Sequence, residues 1–166
     1  MNAFAVPSDV AADPFRADIP TDNISPDAEP EELVAWGLKR FAGQQIGLTT
    51  AFGMEGCALI DMVARAGGEL EVTYLDTHFF FDETHRLREK LEARYPRLRF
   101  VNRGTEYTAE QQTADHGDRL WERNPDQCCY IRKVLPMKRV MAEKGVWFTA
   151  LRRSQSPTRA NLQIIE

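Results

Sequence analysis

Four short apolar runs, residues 46–51, 70–75, 98–102 and 146–151, recur along the chain with stretches long enough for helices between them. A strand followed by a helix has no hairpin partner close by, so it pairs in parallel with a strand reached by a crossover. Strands alternating with helices argue for a sheet covered on both faces. The pattern predicts an α/β fold, a mostly parallel sheet with helices on both faces. In such sheets ligands sit beyond the carboxyl ends of the strands. Three segments lie there: residues 52–56, 76–82 and 152–159.

Helix signals fill the gaps. Glu31 and Glu32 follow Pro30 in a first turn, with Leu33, Val34, Leu38 and Phe41 on one face and Gly43 as the stop. Residues 57–66 read as a second helix ended by Gly67 and Gly68. Asp82 is placed to cap a third that runs to Tyr95 and closes at Pro96. Residues 106–123 are polar with weak periodicity. Pro136 is unsuited to a helix interior, so a last helix is expected over residues 136–144, stopped by Gly145.

Charge divides the chain unevenly. Residues 1–32 carry eight acids against one base, Arg16, and five of the nine prolines, whereas residues from Arg119 onward carry ten bases against four acids. The first stretch reads as an acidic, Pro-rich arm over residues 1–28, leaving one domain over residues 29–166. The basic end suits either an anionic ligand or a solvated surface. No apolar run reaches the ~20 residues that span a bilayer, and Met1 to Val10 lack a secretory pattern, so a cytoplasmic protein without membrane or nucleic-acid partners is expected. Of three cysteines, Cys128 and Cys129 are adjacent, a poor geometry for a mutual disulfide.

Each strand-end segment has a chemical and a structural reading. Gly53 and Gly56 allow a tight turn whose N–H groups face an anion, yet neither GxGxxG nor the Walker A spacing is present, and a simple turn has the same signature. Asp76 and Thr77 suit a ribose hydroxyl. The run Phe79-Phe80-Phe81 is suited to stacking on a purine or to core packing. Arg152, Arg153 and Arg159, interleaved with Ser154, Ser156 and Thr158, suit a sulfate or phosphate, or an exposed basic loop. Cys128 and Cys129 offer soft thiolates for an iron–sulfur cluster or zinc, with Lys133 near to offset negative charge, or they are buried structural cysteines.

Four ordered segments together resemble the assimilatory adenylyl-sulfate and phosphoadenylyl-sulfate reductase family, within the adenine-nucleotide alpha-hydrolase-like domains that carry a modified pyrophosphate loop. They are Thr49-Thr50-Ala51-Phe52-Gly53-Met54-Glu55-Gly56, then Tyr74-Leu75-Asp76-Thr77 with Asp82-Glu83-Thr84, then Cys128-Cys129 with Arg132-Lys133, and finally residues 151–159. The resemblance covers the chain from about Glu32 to its end. It implies thioredoxin- or glutaredoxin-dependent reduction of an activated sulfate to sulfite in sulfate assimilation, with release of AMP or its 3′-phosphorylated form. It places Thr50, Phe52, Gly53 and Gly56 at the nucleotide, Leu75, Asp76 and Thr77 beside adenine and ribose, and Lys133, Arg152 and Arg153 at the phosphosulfate. Family members with the Cys-Cys pair and a later CxxC hold a 4Fe-4S cluster and generally prefer adenylyl sulfate, so Cys128 and Cys129 are the implied metal ligands. Dimers or tetramers also occur in the family, making a homo-oligomer an open expectation.

The resemblance also implies a C-terminal segment with the CxxC pair and the nucleophilic cysteine, and this chain stops at Glu166 before either. The expectation is a truncated or split reductase that supplies the nucleotide half, with no catalytic residue among Cys57, Cys128 and Cys129. Two other readings stay open. One is an ATP-binding domain like the small subunit of sulfate adenylyltransferase, although Ala51-Phe52-Gly53-Met54-Glu55 lacks that protein's Ser-Gly-Gly type of loop. The other is an adenine-nucleotide-binding remnant, or a subunit completed by a second polypeptide.

Overall fold

A computed structural model describes residues 24, 25 and 28–165, so the expected acidic arm lies almost wholly outside the described residues. Four strands form one sheet: β1 (Ile46–Thr50), β2 (Glu71–Tyr74), β3 (Arg99–Asn102) and β4 (Val146–Phe148), in the order β3-β2-β1-β4. Every neighbouring pair is parallel, with Leu48 opposite Val72 on one side and Phe148 on the other. The parallel sheet expected from the four apolar runs is therefore present. β4 ends at Phe148, short of the expected 151.

Among the described residues seven α-helices connect and precede these strands: α1 (Pro30–Arg40), α2 (Met54–Arg65), α3 (Asp82–Arg94), α4 (Ala109–His116), α5 (Leu120–Arg123), α6 (Pro125–Cys129) and α7 (Leu135–Ala142). Crossovers β1–α2–β2 and β2–α3–β3 step one way along the sheet, whereas the long passage from β3 to β4 steps back past both. Right-handed crossovers in opposite directions place their helices on opposite faces. Leu48, Ile60, Val63 and Val72 are fully buried between β1, β2 and α2, joined by Leu59, Leu91 and Leu98.

Several helix ends depart from expectation for local reasons. α2 begins at Met54 rather than residue 57, because Gly53 already takes the extended N-cap conformation. Asp82 is the first residue of α3, not its cap; Phe81 occupies that position without a side-chain bond. α4 opens on a reciprocal capping box between Thr108 and Gln111, a T-x-x-Q signature that reading residues 106–123 for periodicity alone passes over. The expected helix start at Pro136 is corrected most. Helical backbone begins at Pro125, capped by Asn124, whose side chain accepts from the Gln127 N–H at 3.1 Å, and continues through a π-helical turn over Tyr130–Val134 into α7. Proline lacks an N–H and crowds the carbonyl four residues back. The wider π turn lies immediately before Pro136, where such a defect is accommodated without ending the helix.

At the amino end of β2, Glu71 is buried with a polar shell around it. Its Oε1 accepts from Thr73 Oγ1 (3.0 Å) and lies 3.5 Å from Arg103 and 3.7 Å from Lys144, while Oε2 pairs with Arg99 at 2.6 Å. The Glu71 and Lys144 side chains are 6% and 5% exposed, so this pair is held inside the protein. Burial pushes the Glu71 carboxyl up, but the Thr73 hydroxyl and the charges of Lys144, Arg103 and Arg99 outweigh it and leave the pKa below the usual glutamate range.

The compact unit just described spans Glu29–Leu151; residues 152–165 fall in a second unit. Within that second unit, Arg153–Gln155 and Pro157–Arg159 form 3₁₀ turns. The Arg152 N–H donates to Gln155 Oε1 (3.1 Å), the Arg153 Nε to the Leu162 carbonyl (2.7 Å), and Arg159 to Gln155.

Candidate functional site

The chain lays β2 and β3 on one side of β1, then returns to lay β4 on the other. Strand order thus reverses between β1 and β4, the position at which open parallel sheets generally take their ligands. The Trp147 Nε1 donates to Thr49 Oγ1 at 3.0 Å across this pair.

The loop leaving β1 is held in an unfavourable backbone conformation. Phe52 has φ 61°, a left-handed value that a bulky residue adopts only under constraint. Its N–H donates to Thr50 Oγ1 at 2.9 Å, and its buried ring packs on Tyr74 and Phe80, with centroids 5.3 and 6.4 Å away. Gly53 then caps α2 with no side chain of its own to bond the helix's amino end. The first-turn N–H groups lack intrahelical acceptors, and together they make a site suited to an oxyanion. A Cβ on Gly56 would lie 2.5 Å from Thr50 Oγ1, so the first turn of α2 abuts the end of β1. Thr50, Phe52, Gly53 and Gly56 are therefore assembled in one turn.

The loop leaving β2 repeats this construction. His78 also has φ 61°. Its N–H donates to Asp76 Oδ1 (2.8 Å), and Asn102 Oδ1, at the end of β3, accepts from the N–H groups of both Asp76 (3.1 Å) and Gly104 (2.8 Å). Leu75 and Thr77 are buried and Asp76 is half-buried. The three phenylalanines divide. Phe80 joins the core, Phe81 is 78% exposed, and Phe79 stacks against Trp121 with centroids 5.0 Å apart. A continuous aromatic wall is not formed.

Cys128 and Cys129 end α6 as the π turn begins. Neighbours on a helix face different directions, and here Cys128 is buried while Cys129 is exposed. The Cys128 sulfur accepts from Gln112 Nε2 at 3.8 Å. Lys133 is exposed on the π turn, and the buried cation there is Arg132. Sequence reading named Arg132 beside Lys133 but gave it no role, because arginine ordinarily marks surface. The thiolates of Cys128 and Cys129 suit iron–sulfur chemistry. No group of three or more His, Cys, Asp or Glu converges among the described residues, so these residues do not complete a cluster ligand set.

Such an arrangement defines the class first: an open, parallel α/β protein whose strand order reverses between β1 and β4. Within that class, this chain belongs to the phosphoadenosine phosphosulfate reductase domain family, whose profile matches residues 45–166. It is 42% identical over 133 residues to an adenosine 5'-phosphosulfate reductase of Bacillus velezensis, covering 80% of this chain and 57% of that protein. Adenosine 5'-phosphosulfate reductase 1 of Bacillus subtilis is 40% identical with the same coverage. A crystal structure of phosphoadenylyl-sulfate reductase from Candida auris, in a phosphate complex, superposes with a TM-score of 0.65 at 29% identity, covering 89% of this chain and 68% of that one. The chain spans under two thirds of the length of these bacterial relatives.

Proposed function

We propose that this chain is the nucleotide-binding part, over residues 29–166, of a reductase that converts adenylyl sulfate or phosphoadenylyl sulfate to sulfite in sulfate assimilation. The observation that carries this reading is the strained turn from Thr50 through Phe52 and Gly53 into α2, set beside the reversal of strand order in a chain of this family. Thr50, Phe52, Gly53 and Gly56 line the nucleotide, with the amino end of α2 toward its phosphate. Leu75, Asp76 and Thr77 flank adenine and ribose. Lys133, Arg152 and Arg153 face the phosphosulfate, where cationic donors stabilise the negative charge gathering on the departing phosphate. Overall, a dithiol carrier of the thioredoxin or glutaredoxin kind is oxidised to its disulfide, the sulfonate gains two electrons to become sulfite, and the nucleotide leaves. Cytoplasmic operation belongs to the same reading. Cys128 and Cys129 are two candidate thiolates of a four-iron cluster, and none of the three cysteines is assigned the attack on sulfur.

Calorimetric titration of the chain with AMP, adenylyl sulfate and phosphoadenylyl sulfate tests this. Micromolar binding, about −8 kcal/mol, is the expected result for at least one of them, and absence of binding to folded protein overturns the reading. In the same titration Arg152→Ala is expected to weaken binding of the sulfated nucleotide by about 1–3 kcal/mol, the scale of a lost charged hydrogen bond. Unchanged affinity removes Arg152 from the site.

A further inference from the structure

Arg132 is the largest fully buried side chain in the described structure, at 1% exposure. Its guanidinium is used in every direction. Nε donates to Gln112 Oε1 at 2.8 Å, Nη1 to the carbonyls of Thr77 (2.9 Å) and Tyr107 (3.3 Å), and Nη2 to the carbonyl of Thr108 (3.0 Å). The ring of Phe79 lies against its remaining face, 4.7 Å from centroid to Cζ. All four acceptors are neutral, and no carboxylate among the described residues forms an ion pair with Arg132, although Glu110 on α4 feels its charge at longer range. A buried charge without a counter-ion is costly, and it persists where several dipoles are fixed around it at once. Those dipoles come from the loop after β2 and from the entry to α4. Two contacts, the Thr77 carbonyl and the Phe79 ring, fall on either side of the left-handed His78.

We propose that Arg132 is the positioning residue of the loop over residues 75–79, its planar fork holding the strained backbone against α4 in the form that receives the nucleotide. The proposal rests on the reading of that loop as part of the nucleotide site. Gln112 is the supporting member. It is 2% exposed, its carbonyl oxygen accepts from Arg132, and its amide nitrogen donates to Cys128, so the guanidinium is itself fixed in orientation. Charge alone does not do this: a lysine ammonium offers no planar fork to reach Thr77, Tyr107, Thr108 and Gln112 together.

The test is hydrogen exchange by mass spectrometry, read in peptides covering residues 75–81 and, as an internal reference, β1 and β2, alongside AMP titration. Arg132→Met and Arg132→Lys are each expected to speed exchange in residues 75–81 by roughly tenfold, with β1 and β2 within about twofold of wild type. Both are expected to weaken AMP binding by roughly tenfold. Gln112→Leu removes one of the four acceptors at nearly constant volume and shifts both readings the same way by less, which guards against a variant that does not fold. Four results overturn the proposal: unchanged exchange in residues 75–81, an equal rise throughout the sheet, full rescue by Arg132→Lys, or AMP affinity unchanged in a variant whose loop exchange has risen. If wild-type chain binds none of AMP, adenylyl sulfate and phosphoadenylyl sulfate, the nucleotide reading fails and the positioning role goes with it. A local rise in exchange would then mark Arg132 as an element of stability alone.

Discussion

Gly104→Ala is expected to weaken nucleotide binding at least about tenfold while leaving the sheet standing. A Cβ at this position would lie 2.3 Å from the carbonyl oxygen of Asp76, 2.9 Å from its nitrogen and 3.0 Å from Asn102 Oδ1. Two of these atoms are backbone and cannot rotate away. The third is the acceptor that ties the N–H groups of Asp76 and Gly104 together, so relief by moving Asn102 breaks the tie. The whole turn after β2 must therefore move, and with it Asp76 and Thr77. Overpacking of this kind costs about 3 kcal/mol. Urea unfolding is expected to show that loss with an unchanged slope, and calorimetry a fall of at least about tenfold in AMP affinity. Wild-type affinity in Gly104→Ala would remove the loop over residues 75–78 from the nucleotide site.

The second large effect lies at the other end of the strands. Glu71→Gln keeps the shape of the side chain and an oxygen for the Thr73 hydroxyl, but strips the negative charge from among Arg99, Arg103 and Lys144. Arg99 and Arg103 are exposed enough to turn to water; Lys144 is not, and a buried ammonium without its partner costs about 3 kcal/mol. The pH dependence has a definite sign. The folded pKa of Glu71 lies below its unfolded value of about 4.3, so its contribution is complete above that value and is lost as pH falls through the folded pKa. Wild type is thus expected to lose stability on acidification from about pH 5, and Glu71→Gln to lose less. The gap in Tm between the two proteins narrows toward acid. A constant gap from pH 3 to 7 would show that Glu71 does not act through its charge.

The strands and the first two loops were legible because their signals are local. Ile46 to Thr50 is followed by a glycine-bearing turn, and Leu70 to Leu75 ends on Asp76 and Thr77; the second loop stands where the reading put it, and the first is shorter because α2 already begins at Met54. The Cys pair region was legible only in part. Asn124 and Pro125 are a cap and a first-turn proline that announce a helix, but Pro136 drew the start eleven residues too late, because a π turn leaves no periodicity mark. Arg132 was least visible. Its burial depends on carbonyls at Thr77, Tyr107 and Thr108, between 24 and 55 residues away, and nothing beside it in sequence distinguishes it from the exposed Lys133. The phenylalanine triplet shows a similar limit: composition suggests one wall, while backbone geometry sends Phe79, Phe80 and Phe81 to three environments.

The placement of β4 sets a temporal order on assembly. β1 pairs with β2 by joining Gly47 to Glu71, whereas its pairing with β4 joins Gly47 to Trp147, a loop about four times longer. Each doubling of a flexible loop adds only about 0.6 kcal/mol to closure, so the difference in equilibrium cost is slight. Its kinetic consequence is larger, since contacts distant in sequence form late. A chain emerging from the ribosome can lay β1, α2, β2, α3 and β3 together long before Val146 is synthesised. The β1–β4 pairing, where strand order reverses, is then the last part of the body to exist, and the half-built sheet carries β1 as an open edge until it does.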